Sequence, residues 1–228
     1  MELWRIMAWL IVIGAVIMVV AFLVIPPIAW WFYRKHPAYP DQVYRTFWPR
    51  FWAGITDALV LVPLALIAQY CLSFDNSFWD TARWLYVVIF IFNYTHAWVY
   101  SVYMHGRFGQ TVGKMSTCVR VVDVETEGPI TFRHALLRDC IPILISVSLL
   151  VYESYRMIEG LPFSESITRI SSDSSLATSG QMWIALIAQV WWFAEIVTML
   201  TNDKRRAIHD FIAGTVVIRT NIEAEEGD

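Results

Sequence analysis

Long apolar stretches alternate with short polar segments along most of the chain. Five stretches approach the length of a membrane-spanning helix, and the fourth is the shortest: residues 6–25, 51–72, 84–104, 139–153 and 181–200. A helix rises about 1.5 Å per residue, so roughly 20 apolar residues cross the hydrocarbon core of a bilayer. The pattern predicts an all-α polytopic membrane protein with about five transmembrane helices.

The first apolar stretch could be mistaken for a cleaved signal peptide. Its uncharged run extends from Ile6 to Tyr33, far beyond the roughly 7–15 apolar residues of a signal sequence. We therefore interpret residues 1–33 as a retained transmembrane helix. Pro26 and Pro27 are expected to end its membrane-crossing part, with residues 28–33 continuing along the interface.

Composition supports a membrane class and narrows the expected partners. Of the 228 residues, 57% are hydrophobic and only 16% are charged, too apolar a balance for one soluble core. The 12 Trp, 10 Tyr and 13 Phe fit the aromatic belts of membrane proteins. The lipid bilayer is the expected partner, and nucleic acid is not. The three cysteines lack paired or metal-like spacing, so neither a disulfide framework, a metal nor a cofactor is expected.

The distribution of Lys and Arg predicts the orientation. Thirteen lie in segments 34–50, 105–138 and the C-terminal segment, against four on the other side of the predicted spans. The positive-inside rule then places the C-terminus in the cytoplasm and the N-terminus outside. We expect the location to be a bacterial cytoplasmic (inner) membrane.

Two β-branched runs interrupt the helical pattern. Cys118–Val124 alternates weakly and precedes a turn signal at Glu127–Pro129, while Thr215–Arg219 follows Gly214. We predict that the two runs pair as a small cytoplasmic β element against the inner membrane face. Residues 221–228 are acidic and are expected to be a disordered tail.

Ionisable residues inside predicted spans are the first candidates for function, because each costs about 2.5–3.5 kcal/mol on insertion scales. Asp57 lies two helical turns after Arg50, so both side chains share a face, and Arg50 is its expected counter-charge. Glu195 and His96 fall at a similar depth near the inner ends of their spans. Together these groups predict a buried polar cluster or a water-filled inner vestibule. The alternative is that they only hold helices together, and His96 in particular fits a packing role.

Two further segments carry polar groups outside the spans. Gly109–Lys114 resembles a phosphate loop but has too few residues between its glycines, so we interpret Gly109, Gly113 and Lys114 as a structural turn. After the last span, His209 and Asp210 follow an arginine pair, and Asp210 is expected to cap a helix or to pair with Arg138 or Arg50. No Ser-His-Asp set, nucleophilic Cys or carboxylate pair stands outside this layer, so an enzyme is not expected.

The order of these segments resembles the RDD family of membrane proteins. The matching segments are Arg50–Asp57, Gly109–Lys114, Val119–Asp123, Arg138 and Arg205–Val217. The family takes its name from one arginine and two aspartates, and by motif these carry over to Arg50, Asp57 and Asp210. The chain then divides into an extra N-terminal helix at 1–33, a cytoplasmic linker at 34–50, an RDD-like membrane domain at 51–220 and the tail. The extra helix is a departure from the family pattern.

The resemblance implies a transport role, with cation/proton exchange proposed for some members. Asp57 would then be the protonatable or ion-binding group, with Glu195 as a second site. The alternative is a non-transporting scaffold or accessory subunit in which the same charges lock the helices. Under either hypothesis the extra helix is a candidate surface for a homodimer or a membrane-complex partner.

Overall fold

The computed structural model describes residues 3–72, 83–158 and 174–223, and within them helices dominate. In chain order the elements are α1 (Leu3–Lys35), a 3-10 turn (Pro40–Gln42), α2 (Phe47–Leu72), α3 (Arg83–Phe108), α4 (Val112–Ser116), β1 (Val119–Asp123), α5 (Phe132–Arg138), α6 (Cys140–Ile158), α7 (Ser174–Thr201), α8 (Ile208–Ala213) and β2 (Thr215–Arg219). The predicted class, mainly helical with a small β element, matches this architecture.

Three helical segments are long and apolar enough to cross a membrane: Phe47–Leu72, Trp84–Phe108 and Met182–Thr201. They confirm the second, third and fifth predicted stretches. The fourth stretch falls in α6, which is bent by 61° against α5, and the two helices together count as a fourth span only if the bent pair is one crossing. Among the described residues the count is therefore three or four, and five spans are not confirmed.

The first predicted span lies in α1, a single helix of 33 residues. At about 1.5 Å per residue it is long enough to cross a bilayer and continue beyond it. Pro26 and Pro27 lie inside the helix, which continues unbroken to Lys35. Crossing of the membrane by α1 stays a prediction.

The predicted sheet is confirmed. β1 and β2 pair antiparallel, in a register that places Val119 opposite Arg219 and Asp123 opposite Thr215. Valines of both strands are fully buried and pack with Ile130 in one cluster, as β-branched side chains do on a pleated surface. The predicted turn follows β1, and Glu127 there has a positive φ of 52°.

The segment after α1 is tied to the C-terminal strand rather than running free as a linker. Ala38 donates its N–H to Asn221 O at 2.9 Å and accepts from the N–H of Glu223 at 2.9 Å. Arg219 donates its N–H to Val43 O at 2.9 Å. Residues 221–223 are therefore paired, which corrects the predicted start of the tail, and residues 224–228 lie outside the described part.

Packing of the helices leaves a gap between α2 and α7. α2 packs against α1, α3 and α4, whereas α7 packs against α6 and α8. α3 ends at Phe108, and Gly109 turns the chain with a φ of +71° while donating its N–H to His105 O at 2.8 Å. A glycine in this left-handed position is a common helix terminator. The turn carries α4 back against α2.

Candidate functional site

Asp210, in the first turn of α8, is the most deeply buried carboxylate of the site, with no exposed surface. Its Oδ2 accepts from Arg50 Nη1 at 2.7 Å and from the N–H of Ala207 at 2.9 Å. Its Oδ1 accepts from Arg138 Nη1, and Thr215 Oγ1 lies 3.4 Å away. The expected cap and both expected arginine partners are thus present together. One carboxylate joins α2, α5 and α8.

Two guanidiniums around one carboxylate determine its protonation. Burial alone would raise the pKa of Asp210, but the charges of Arg138 and Arg50 outweigh it and hold the pKa well below its usual range. The carboxylate is therefore ionised at neutral pH, and the three groups together carry one net positive charge. A buried pair of this kind destabilises a fold strongly when one partner is lost.

His209 lies between this cluster and Glu195. Its Nε2 lies 3.1 Å from Arg50 Nη2 and 2.9 Å from Arg138 Nη2. A guanidinium can only donate, so Nε2 must be the acceptor and the ring proton must be on Nδ1. Nδ1 lies 2.8 Å from Glu195 Oε2, and the backbone N–H of His209 donates to Oε1 at 3.2 Å. Burial, the largest cause, lowers the pKa of His209 and keeps the imidazole neutral.

Asp57 is held by a separate set of donors. Its carboxylate accepts from Tyr100 Oη at 2.8 Å, from Thr111 Oγ1 at 2.5 Å and from the N–H of Gly113 at 2.7 Å. These contacts join α2 to α3 and to the start of α4. All three donors are neutral, so the carboxylate is well bound without a cation in direct contact among the described residues.

The expected Arg50–Asp57 pair is therefore corrected. The two side chains do start from one face of α2, but the guanidinium of Arg50 is used by Asp210 and by Arg205 O, which accepts at 3.0 Å. Asp210 is the fully buried carboxylate of the two, so it gains most from a second cation beside Arg138, because an ion left unbalanced there would cost several kcal/mol.

A cavity of about 600 Å³ lies between α2 and α7. Its polar lining combines three basic groups with two carboxylates and one imidazole: Arg50, Lys114, Arg138, Asp57, Glu195 and His209. Its apolar walls come from both helices and include Phe51 and Trp192. Most of the sequence candidates thus meet around one space.

His96 does not join them. Its Nδ1 lies 3.0 Å from Phe92 O on its own helix, and its ring stacks on Phe92 with centroids 5.2 Å apart. It does not line the cavity, so its surroundings fit the packing alternative, and its candidacy as an ion site stays a prediction. Depth along a span can be derived from sequence, whereas the direction of a side chain around the helix depends on neighbours.

Lys114 also lines the cavity, which its interpretation as part of a structural turn did not predict. Gly113, beside it, packs so closely on α2 that an added Cβ would lie 2.0 Å from Ala53 O. This places the Lys114 side chain in the cavity, where Nζ lies 2.9 Å from His105 Nε2. Burial, then the charge of Arg138, lowers the pKa of Lys114 to about 8.

Several functional neighbours gave no signal in the sequence. Tyr100 and Thr111 lie 43 and 54 residues from Asp57. Tyr100 belongs to no motif, and Thr111 lies within Gly109–Lys114 but was not singled out there. The absence of a signal also holds for three residues brought together only by packing of α3 on α5 and α6, namely His105, Ser101 and Asp139.

Within residues 3–72, 83–158 and 174–223, no group of three or more His, Cys, Asp or Glu side chains is arranged to hold a metal ion.

A family model, the RDD family, matches residues 44–214, most of the chain. The chain belongs to the RDD family. Neither a search of curated proteins nor a search of solved structures found a match. α1 lies before the matched region of this RDD protein. Of the arginine and two aspartates carried over by motif, Arg50 and Asp210 are in direct contact and Asp57 lines the same cavity.

Proposed function

We propose that this RDD protein moves a small solute or ion across the membrane, and that the cavity between α2 and α7 is its binding space. The observation that carries the proposal is the cavity itself, about 600 Å³ with apolar walls and ionisable groups inside. This volume is in the range of small-ligand sites. Ionisable groups in a membrane domain are costly and mark transport paths by default.

The balance of charges around the cavity favours cation/proton exchange. Arg50 and Arg138 exceed Asp210 by one positive charge, which Glu195 offsets, and His209 is neutral. Lys114 and Asp57 then balance each other as long as Lys114 keeps its proton. Release of that proton leaves one net negative charge in the cavity. A monovalent cation restores neutrality, so proton release and cation binding are coupled by charge.

The proposed orientation follows from the excess of Lys and Arg on one side of the spans. Arg50 lies three residues into α2, and Glu195 lies six residues before the end of α7. With the C-terminus in the cytoplasm of a bacterial cell, both residues belong to the cytoplasmic half of a cytoplasmic (inner) membrane. The cavity would therefore receive its cation and exchange its proton on the cytoplasmic side.

Filling the cavity tests whether transport passes through it. Gly54 lines the cavity, and no atom lies within 4 Å of the position that a Cβ would take. Gly54→Leu is therefore expected to fold but to occupy the space. In proteoliposomes, sodium uptake driven by a pH gradient should fall about tenfold or more, because the side chain removes binding volume. Gly54→Ala is the matched control and should keep its uptake; equal uptake by the leucine variant would contradict the proposal.

Asp57→Asn tests the charge balance separately. Asparagine can retain the contacts, since its Oδ1 can accept from Tyr100 and Gly113 while its Nδ2 donates to Thr111 Oγ1. The substitution then removes mainly one negative charge. We expect cation-driven proton flux to be lost while the thermal midpoint changes by only a few degrees, in line with a small change in stability. Intact flux in the variant would exclude Asp57 as the ion site.

The second candidate is a non-transporting scaffold or accessory subunit. The observation that favours it is the set of three hydrogen bonds on Asp57, which join α2, α3 and α4 without need of an ion. The exposed apolar side chains of α1, such as Leu23 and Ile28, would then receive a membrane partner or a second copy of the chain. This candidate predicts that wild-type protein shows no flux and that Asp57→Asn impairs stability or assembly.

A further inference from the structure

We propose that Lys114, His105, Ser101 and Asp139 form a proton path that leads from the cavity to the bend between α5 and α6. The inference rests on the proposed function and adds a route by which the exchanged proton leaves the cavity. None of these four side chains is needed for the Asp210 cluster or for the hydrogen bonds of Asp57. They form a second polar network that begins at the same cavity.

The path is continuous by distance. Lys114 Nζ lies 2.9 Å from His105 Nε2, and His105 Nδ1 lies 3.2 Å from Ser101 Oγ. Ser101 donates its hydroxyl hydrogen to Asp139 Oδ2 at 2.8 Å. Three hydrogen bonds thus connect the cavity to a carboxylate on another pair of helices.

The path also has one direction. The ammonium of Lys114 can only donate, so Nε2 of His105 accepts and the ring hydrogen is on Nδ1. Ser101 uses its only hydrogen on Asp139, so its oxygen must accept from Nδ1–H. Every donor therefore points from Lys114 towards Asp139, and no hydrogen is used twice.

Proton transfer along this network balances without any other reactant. Lys114 gives a proton to Nε2 of His105 while Nδ1 gives its hydrogen to Ser101 Oγ, and Ser101 gives its own hydrogen to Asp139 Oδ2. One N–H bond breaks at Lys114 and one O–H bond forms at Asp139, leaving a neutral amine and a neutral acid. The path resets when Asp139 releases its proton, Lys114 takes a new proton from the cavity, and the Ser101 hydroxyl and the imidazole reorient so that the ring N–H again faces Ser101.

The groups around Lys114 favour release of its proton, and burial of His105 keeps bulk water away from the proton path. Lys114 faces Arg50 and Asp57 of α2, Arg138 of α5, Asp139 and His105, and burial together with Arg138 brings its pKa to about 8. It can therefore release a proton near physiological pH. His105 is only 4% exposed, which excludes bulk water from the middle of the path. Asp139 is half-buried and can pass the proton on.

The experiment removes the central hydroxyl. Proteoliposomes with an internal pH dye and a sodium gradient would be compared for wild type, Ser101→Ala, Ser101→Thr and Thr95→Ala. Thr95 lies on the same helix, but its hydroxyl donates to Ile91 O of that helix at 2.9 Å, so it controls for loss of a hydroxyl. We expect the alanine variant at 101 to lose about tenfold or more of the proton flux, as for loss of a proton-transfer group. The other two variants should retain it.

The outcomes separate the path from the proposed function. Wild-type flux in Ser101→Ala, or sodium movement without proton movement in wild type, overturns the path and leaves transport standing. Absence of both fluxes in folded wild type rejects the proposed function and the path with it.

A second measurement is acylation of Lys114 by acetic anhydride across pH. It needs no transport and does not depend on the folding of a variant. A midpoint near 8 is expected, whereas an ordinary midpoint of about 10.4 overturns the path.

Discussion

Asp210→Asn is expected to lower the free energy of unfolding by about 3–5 kcal/mol, the usual cost of breaking a buried ion pair. The substitution leaves Arg50 and Arg138 facing each other across a neutral amide, with side chains 8% and 3% exposed. The substitution therefore removes the negative charge that balances two buried cations in direct contact with it. The contacts that join α2, α5 and α8 should therefore open.

The measurement is the thermal midpoint in detergent, with Asp203→Asn as the matched control. Asp203 lies in the same segment and is exposed, so its substitution should leave the midpoint nearly unchanged.

The destabilisation by Asp210→Asn should also depend on pH. Because the pKa of Asp210 is lowered in the folded state, its contribution is fully present above the unfolded value of about 3.9 and is lost as pH falls through the folded pKa. Variant and wild type should thus differ at pH 7 and converge in strong acid; equal midpoints at pH 7 would show that Asp210 does not hold the three helices.

Hydropathy was sufficient to predict the membrane-spanning helices, because a bilayer restricts the backbone structures that an apolar segment can form. An apolar segment in a bilayer must satisfy its backbone groups internally, so a run of about 20 such residues becomes a helix whatever its neighbours are. The two-stranded sheet was also predictable, since β-branched residues after Gly214 and before Glu127 leave few other ways to pair. The bend between α5 and α6 was not, because it depends on how α3 packs against both helices.

Most residues that form the site could be predicted from the sequence, but the choice among their possible partners could not. Sequence places Asp57 and Glu195 near one depth, with Arg50 two helical turns before Asp57, and all three line the cavity. It offers Arg50 two carboxylates, Asp57 in α2 and Asp210 in α8, and cannot choose between them, because burial at Asp210 rather than spacing within α2 decides the contact. The same limit explains His96, which has a suitable depth on a helix face that does not line the cavity. It also explains Lys114, because the sequence does not show how the segment Gly109–Lys114 packs against α2.

Gly113→Ala is the second substitution with a large expected effect. An alanine Cβ would lie 2.0 Å from Ala53 O and 2.8 Å from Asp57 Cγ, and the first of these is backbone that cannot rotate away. α4 would have to move off α2, which breaks the hydrogen bond from Gly113 N–H to Asp57. Since overpacking alone costs roughly 1–3 kcal/mol, the lost hydrogen bond should bring the total to about 3 kcal/mol or more.

Gly54→Ala is the control for this prediction, since it makes the same chemical change within α2 where no atom lies within 4 Å. A helical glycine replaced by alanine gains about 0.5–1 kcal/mol, so the two variants should shift the thermal midpoint in opposite directions. A wild-type midpoint for Gly113→Ala would mean that α4 does not pack closely on α2.

Comparison of Gly113→Ala with Asp57→Asn then separates the two candidate functions. If loss of the Asp57 charge destabilises the protein as much as Gly113→Ala does, the carboxylate serves mainly to join helices and the scaffold is favoured. If only Gly113→Ala destabilises it, the charge of Asp57 is free for an ion.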